Sequence, residues 1–238
     1  GITHYLHPAA AGLLMGQELT YLGQALETPG RPFVAILGGA KVSDKIEVIE
    51  NLVKRVDRLL IGGAMAYTFF KANGQPVGRS LVEDDKLAEA NAIRGHAAQR
   101  KIVFGLPVDH LVTERLEAGS VSEVLAIDDS AIGDRLGVDI GPATVADYRA
   151  ALADAKTVVW NGPMGVFEID EFAGGTNAIA HAVASVTGTT IVGGGDSIAA
   201  VRKAGVTDRI THISTGGGAS LEFLAGRTLP GVAALTDK

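Results

Sequence analysis

The sequence predicts an α/β fold in which a parallel β-sheet is covered by helices on both faces. Two patterns carry that prediction. Short β-branched apolar runs alternate with longer segments of helical period, and almost every run ends in a glycine turn. A first helix is expected over 9–26, where Leu13, Leu14, Leu19, Leu22 and Leu26 recur until Thr28-Pro29-Gly30 stops it. Strands are expected at 33–37, 58–61, 101–104, 157–160, 189–192 and 211–214. Helices are expected near 42–54, 65–72, 84–99, 144–154, 175–186 and 197–204, with a last one near 219–225. The stretch 105–141 breaks the alternation, and 108–113 with 121–127 reads as a small β insertion around Gly119-Ser120.

Composition narrows the function classes. With 47 % hydrophobic and 20 % charged residues among 238, a packed chain is expected and long disorder is excluded. Glycine supplies 31 residues without a three-residue period and proline only 8, which excludes collagen and low-complexity chains. A net charge of −6 gives no general attraction to nucleic acid or an anionic membrane, so any phosphate must be held by a local site. The lack of cysteine excludes disulfides, thiol catalysis and Cys-ligated metals, and it fits a cytoplasmic setting. No apolar run reaches the roughly 20 residues of a membrane span. The start at Gly1, without Met and without a signal-peptide pattern, reads as a cut end.

The glycines are placed, not scattered. Gly38-Gly39 follows the first run, Gly62-Gly63 the second and Asn161-Gly162-Pro163 the fourth. Gly193-Gly194-Gly195-Asp196 follows the fifth and Thr215-Gly216-Gly217-Gly218 the sixth. In a parallel sheet these turns share the carboxyl edge, where open α/β sheets bind ligands. Glycine there admits backbone N–H groups to an anion, and helix N-termini add positive potential. The plainer account is that glycine eases tight turns. Standard phosphate motifs are absent: no Gly-Lys-Ser or Gly-Lys-Thr completes a P-loop. Ile198 and Leu221 stand where Gly193-x-Gly195 and Gly216-x-Gly218 would need a third glycine. A distributed anion site is the expectation.

Several side chains could carry chemistry there. Lys41 and Lys45 are four apart at the start of the expected helix 42–54, hence on one helical face. Two cations there oppose the helix dipole unless an anion joins them; solvated surface lysines, with Asp44 an ordinary first-turn acid, are the alternative. Ser43 reads as a local cap. Asp196 is a helix cap, a Mg²⁺ ligand beside phosphates, or both. Asn161 and Glu168 flank a rigid loop, 162–167, whose apolar rim and carboxylate suit an adenosine; a plain loop with an exposed acid is the alternative. The six histidines show no metal-ligand spacing and read as surface or structural residues, Trp160 as core, and the acids at 83–85 and 128–129 as loop and helix-start charges.

Taken together, these segments resemble phosphoglycerate kinase. Leu37-Gly-Gly-Ala-Lys-Val-Ser-Asp-Lys-Ile46, Gly62-Gly-Ala-Met-Ala-Tyr-Thr-Phe69 and Leu106-Pro-Val-Asp109 look like its motifs in the family's order. So do Val158-Val-Trp-Asn-Gly-Pro-Met-Gly-Val-Phe-Glu168, Gly193-Gly-Gly-Asp-Ser197 and His212-Ile-Ser-Thr-Gly-Gly-Gly-Ala-Ser-Leu-Glu222. The resemblance is to that enzyme's C-terminal, nucleotide-binding half. It implies a doubly wound, six-stranded, Rossmann-like parallel sheet. The implied reaction is reversible phosphoryl transfer between MgATP and 3-phosphoglycerate, giving 1,3-bisphosphoglycerate and ADP in a cytoplasmic monomer.

By the same resemblance, Gly39, Ala40, Gly63, Ala64, Val138, Pro163 and Val166 would line the adenosine pocket and Glu168 would take the ribose hydroxyls. Asn161, Lys41, Gly194, Gly195 and Ser197 would meet phosphate oxygens, and Asp196 would bind Mg²⁺. Lys45 and the turn Gly216, Gly217, Gly218 would stabilise the transferring group. Ala64 stands where many members carry a third glycine. The family's N-terminal domain, with its basic 3-phosphoglycerate site, would lie outside this sequence. Residues 1–8 are then its tail, 9–27 an inter-domain helix, 28–228 the nucleotide domain and 229–238 a segment returning to the absent domain. A binding module without chemistry and a Rossmann dehydrogenase are the competing classes. Both lysines argue against the first and the failed fingerprint against the second.

Overall fold

The computed structural model describes residues 1–236. From the N-terminus run α1 (Leu13–Glu27), β1 (Phe33–Leu37), α2 (Ile46–Val53), β2 (Arg58–Ile61), α3 (Met65–Ala72), α4 (Leu87–Gln99) and β3 (Val103–Gly105). An excursion of three strands follows: β4 (Asp109–Thr113), β5 (Ser122–Ala126) and β6 (Leu136–Ile140). The chain continues with α5 (Pro142–Leu152), β7 (Thr157–Asn161), α6 (Gly174–Ala184), β8 (Thr189–Gly193), α7 (Gly195–Lys203), β9 (His212–Ser214), α8 (Gly218–Leu224) and α9 (Pro230–Ala233).

Six strands form one sheet in the order β3-β2-β1-β7-β8-β9, and every neighbouring pair is parallel. The chain builds outward from β1 to β3, returns to the centre at β7 and builds outward the other way. That is the doubly wound order expected from the resemblance. Strand β1 is buried along its whole length, as a central parallel strand must be. Its alternate residues serve two cores. Phe33, Ala35 and Leu37 pack with α1–α4 and α8, whereas Val34 and Ile36 pack with α5–α7.

The β insertion is larger than the sequence pattern suggested. The two expected strands are β4 and β5, which pair antiparallel, and β6 adds a third on the other side of β4. Gly137 and Asp139 interrupt the apolar pattern of β6, which hides it. Gly137 is glycine because the Tyr67 ring occupies the place of its side chain.

Two helix boundaries also moved. The first helix begins at Leu13, with Leu13 and Leu14 exposed and only Leu22, Ala25 and Leu26 buried on the body. Thr28 closes it, donating its N–H to the Gln24 carbonyl. Helix α2 begins only at Ile46, so residues 41–45 form turns rather than its first turn. At the other end of the chain, the Thr236 N–H donates to the Ala9 carbonyl at 2.8 Å and its hydroxyl accepts from the Ala9 N–H. Asp237 and Lys238, the end of the expected return segment, lie outside the described residues.

Candidate functional site

The order of the sheet reverses between β1 and β7, and the loops leaving those two strands must part, opening a crevice at their carboxyl ends. Here the glycines do something the sequence reading did not foresee. A side chain on Gly38 would run into the Pro163 carbonyl, and one on Gly162 into the Gly38 backbone. The turns after β1, β2 and β7 therefore interlock. The Gly39 N–H donates to the Pro163 carbonyl at 3.0 Å and the Gly63 N–H to the Met164 carbonyl at 2.9 Å. Those two donors hold the protein together and are not free to meet an anion.

Beside this junction lies a cavity of about 190 Å³. Gly39, Ala40, Gly63, Ala64, Val138, Pro163, Val166 and Glu168, the residues expected around an adenosine, all border it, as does Asp196. Tyr67, Phe70, Met164, His110 and Asp139 also line the wall and were not singled out in the sequence. The loop after β7 is fixed from behind. Thr176, fully buried on α6, accepts from the N–H groups of Met164 and Gly165 at 3.1 Å each. The Val166 N–H donates to the Val138 carbonyl at 2.7 Å, tying the loop to the β insertion.

Two ionisable groups in this wall are perturbed by burial. His110 Nδ1 lies 2.7 Å from the Tyr67 hydroxyl, while its buried Nε2 has no partner. Burial pushes the imidazole down to about 4, so it is neutral at pH 7. Burial pushes the Asp139 carboxyl up to about 7, against backbone N–H groups of Gly175, Ile140 and Thr176 that favour its charged form.

The polar residues lie along the same edge. Lys45 is half-buried, and that burial lowers its pKa against the opposing pull of Asp44 and Asp196. It sits at the N-cap of α2, with its ammonium close to Gly39, and Lys41 is exposed. Because residues 41–45 are not helical, Lys41 and Lys45 do not share a helical face. Ser43 is no helix cap either: its N–H and hydroxyl both donate to Glu83.

Asn161 ends β7, buried, with its Nδ2 unpartnered and directed at Gly194. Gly194 has φ +90°, and a side chain there would press on that amide. Asp196 is the second residue of α7, exposed, after the N-cap Gly194, so the plain capping account does not describe it. The Ser197 hydroxyl is spent internally, accepting from the Gly162 N–H at 2.5 Å, so only its backbone faces the helix start.

Gly216, Gly217 and Gly218 open α8 outside the cavity, at the β9 end of the edge. Trp160 is core, its indole N–H donating to the Gly162 carbonyl at 2.7 Å. Among the described residues, no three His, Asp or Glu side chains converge as a metal site.

Comparison with known proteins places the fold in a family. The family model described as phosphoglycerate kinase matches residues 1–227. The phosphoglycerate kinase of Koribacter versatilis is 59 % identical over 239 residues, covering all of this chain and 59 % of the relative. That of Chlorobium chlorochromatii is 58 % identical over 240 residues, again covering all of this chain and 60 % of the relative. The chain thus spans about three fifths of the length of the curated relatives it matches. The solved phosphoglycerate kinase from Coxiella burnetii superimposes with a TM-score of 0.95 at 45 % identity, over 99 % of this chain and 61 % of that one. No described helix is long and apolar enough to cross a membrane. On sequence and fold alike, the chain belongs to the phosphoglycerate kinase family.

Proposed function

We propose that this chain is the nucleotide-binding half of a phosphoglycerate kinase and takes part in reversible phosphoryl transfer between MgATP and 3-phosphoglycerate. The observation that carries this reading is the sequence of environments along one edge. A largely apolar cavity gives way to Lys45, the unpartnered Asn161 amide, Asp196 and the open start of α7. Base and ribose fit the first part and phosphates the second.

The proposed roles follow. The cavity takes adenosine, with Glu168 at the ribose hydroxyls. Asn161, Gly194, Gly195 and the Ser197 N–H meet phosphate oxygens, with Lys41 at the exposed side. Mg²⁺ supplies charge neutralisation when bound with the nucleotide. A single protein carboxylate, Asp196, suits an ion that keeps phosphate and water for its other ligands. Lys45 and the turn 216–218 stabilise charge on the transferring group, as phosphoryl transfer demands positioning and electrostatics above all. Half-burial of Lys45 without an ion pair among the described residues supports this, since a desolvated ammonium is costly until an anion arrives.

The substrate carboxylate and its basic site belong to a further domain, for which residues 1–8, the helix region 9–27 and the segment 229–238 are the contact parts. The chain alone is then a nucleotide binder with little or no turnover, monomeric and cytoplasmic. Calorimetry tests the reading. ADP should bind with 1:1 stoichiometry, more tightly with Mg²⁺ than without, and Asp196→Ala should remove the Mg²⁺ dependence while keeping metal-free binding. An unchanged Mg²⁺ response in that variant would refute the assignment.

A further inference from the structure

Helix α7 reaches the loops of this edge from both of its ends, at its N-terminus directly and at its C-terminus through one side chain. Its first turn carries Gly195, Asp196 and Ser197. Its last residue, Lys203, reaches the far side of the loop after β7, where Nζ donates to the Phe167 carbonyl at 2.7 Å and more loosely to the Glu168 carbonyl at 3.4 Å. The same ammonium pairs with Asp170 at 2.5 Å. All three donors of the lysine are directed at one short segment, 167–170, and two of its acceptors are carbonyls outside any strand or α-helix.

A second contact independently joins helix and loop: Phe167 packs with Ala200 and Ala173 in a small buried cluster. Glu168 itself is exposed and borders the cavity, so its backbone is held while its carboxylate is left free.

We propose that Lys203 is a positioning residue for nucleotide binding. Its ammonium fixes Glu168 relative to the first turn of the same helix, so that α7 acts as a rigid spacer between the ribose-reading carboxylate and the phosphate-facing end. Nine helical residues separate the two ends by roughly 13 Å, and a straight helix holds that span without a hinge. This inference rests on the proposed nucleotide site and adds a residue outside it. The plain alternative is a lysine that complements the helix dipole from its last turn and ties down a loop, with no bearing on ligand.

Titration calorimetry on the whole chain separates the two, using ADP, 2′,3′-dideoxy-ADP and inorganic tripolyphosphate. The wild type should prefer ADP to its dideoxy analogue. Lys203→Met should weaken ADP about tenfold, close that gap and leave tripolyphosphate unchanged, and Lys203→Arg should recover most of the loss. A gap that persists in Lys203→Met overturns the proposal, as does a parallel loss of tripolyphosphate or a wild type indifferent to the hydroxyls. Failure of the wild type to bind ADP at all would instead strike the nucleotide reading beneath it.

Discussion

At the scale of single residues, the cavity wall holds two groups whose burial opposes their charge. For His110 the folded pKa, about 4, lies below the ordinary 6.5. The unfolded chain therefore takes up this proton first, and the contribution of neutral His110 to stability is present above pH 6.5 and lost as pH falls toward 4. A shift of that size corresponds to about 3 kcal/mol. Asp139 works the other way. Its folded pKa of about 7 lies above the ordinary 3.8, so what it contributes is present at low pH and lost as pH rises through 7. Acidification from 7 to 4 thus weakens the fold through His110 and strengthens it through Asp139, whose shift is at least as large. Thermal midpoints of wild type and His110→Phe, which share Asp139, should converge or cross as pH falls over that range. Parallel curves would contradict the pKa assignment. Neither residue was legible as part of the site. His110 carries no spacing signal, and Asp139 sits in a strand masked by its own polar and glycine residues.

At the scale of elements, five glycine turns on one edge were readable because alternation and punctuation are local properties of a sequence. Their division of labour was not. Interlocking of the turns after β1, β2 and β7 depends on which strands become neighbours, a tertiary fact, and it consumes donors that the sequence left open to an anion. The turn after β8 does not join this interlock, and Gly194, Gly195 and Asp196 stand at the start of α7. Lys41 and Lys45 show the converse: a four-residue spacing implies a shared face only inside a helix, and α2 starts at Ile46, after both of them. Thr176 is the element-scale pin of the cavity. Thr176→Val keeps its volume but strands two loop N–H groups, and should cost about 1–3 kcal/mol in chemical denaturation. It should also weaken ADP binding, because the loop from Pro163 to Glu168 loses its fixed position. Unchanged stability would show that the loop is held by other means.

At the scale of the whole molecule, α1 is joined to the carboxyl edge of the sheet. Glu18 on α1 accepts from the Thr215 N–H at 2.6 Å and lies 3.1 Å from His212 Nε2, whose ring stacks on Tyr21. Burial alone would raise the Glu18 pKa, but hydrogen bonds from His212, Ser214 and Thr215 outweigh it and the net shift is downward. A helix half of whose length stands off the body is thereby tied to the turn that opens α8. Fold class and family were legible in the sequence; the contact from α1 to that turn joins residues 197 apart and no local pattern encodes it.

The central claim is that one sheet edge binds a magnesium nucleotide, base at the β1–β7 crevice and phosphates toward α7. Amide chemical-shift mapping of the isotope-labelled chain with MgADP tests it most directly. Saturable shifts should concentrate at 38–41, 63–64, 137–139, 161–168 and 193–197, with the opposite edge of the sheet silent. Shifts absent at millimolar MgADP, or centred away from that edge, would contradict it.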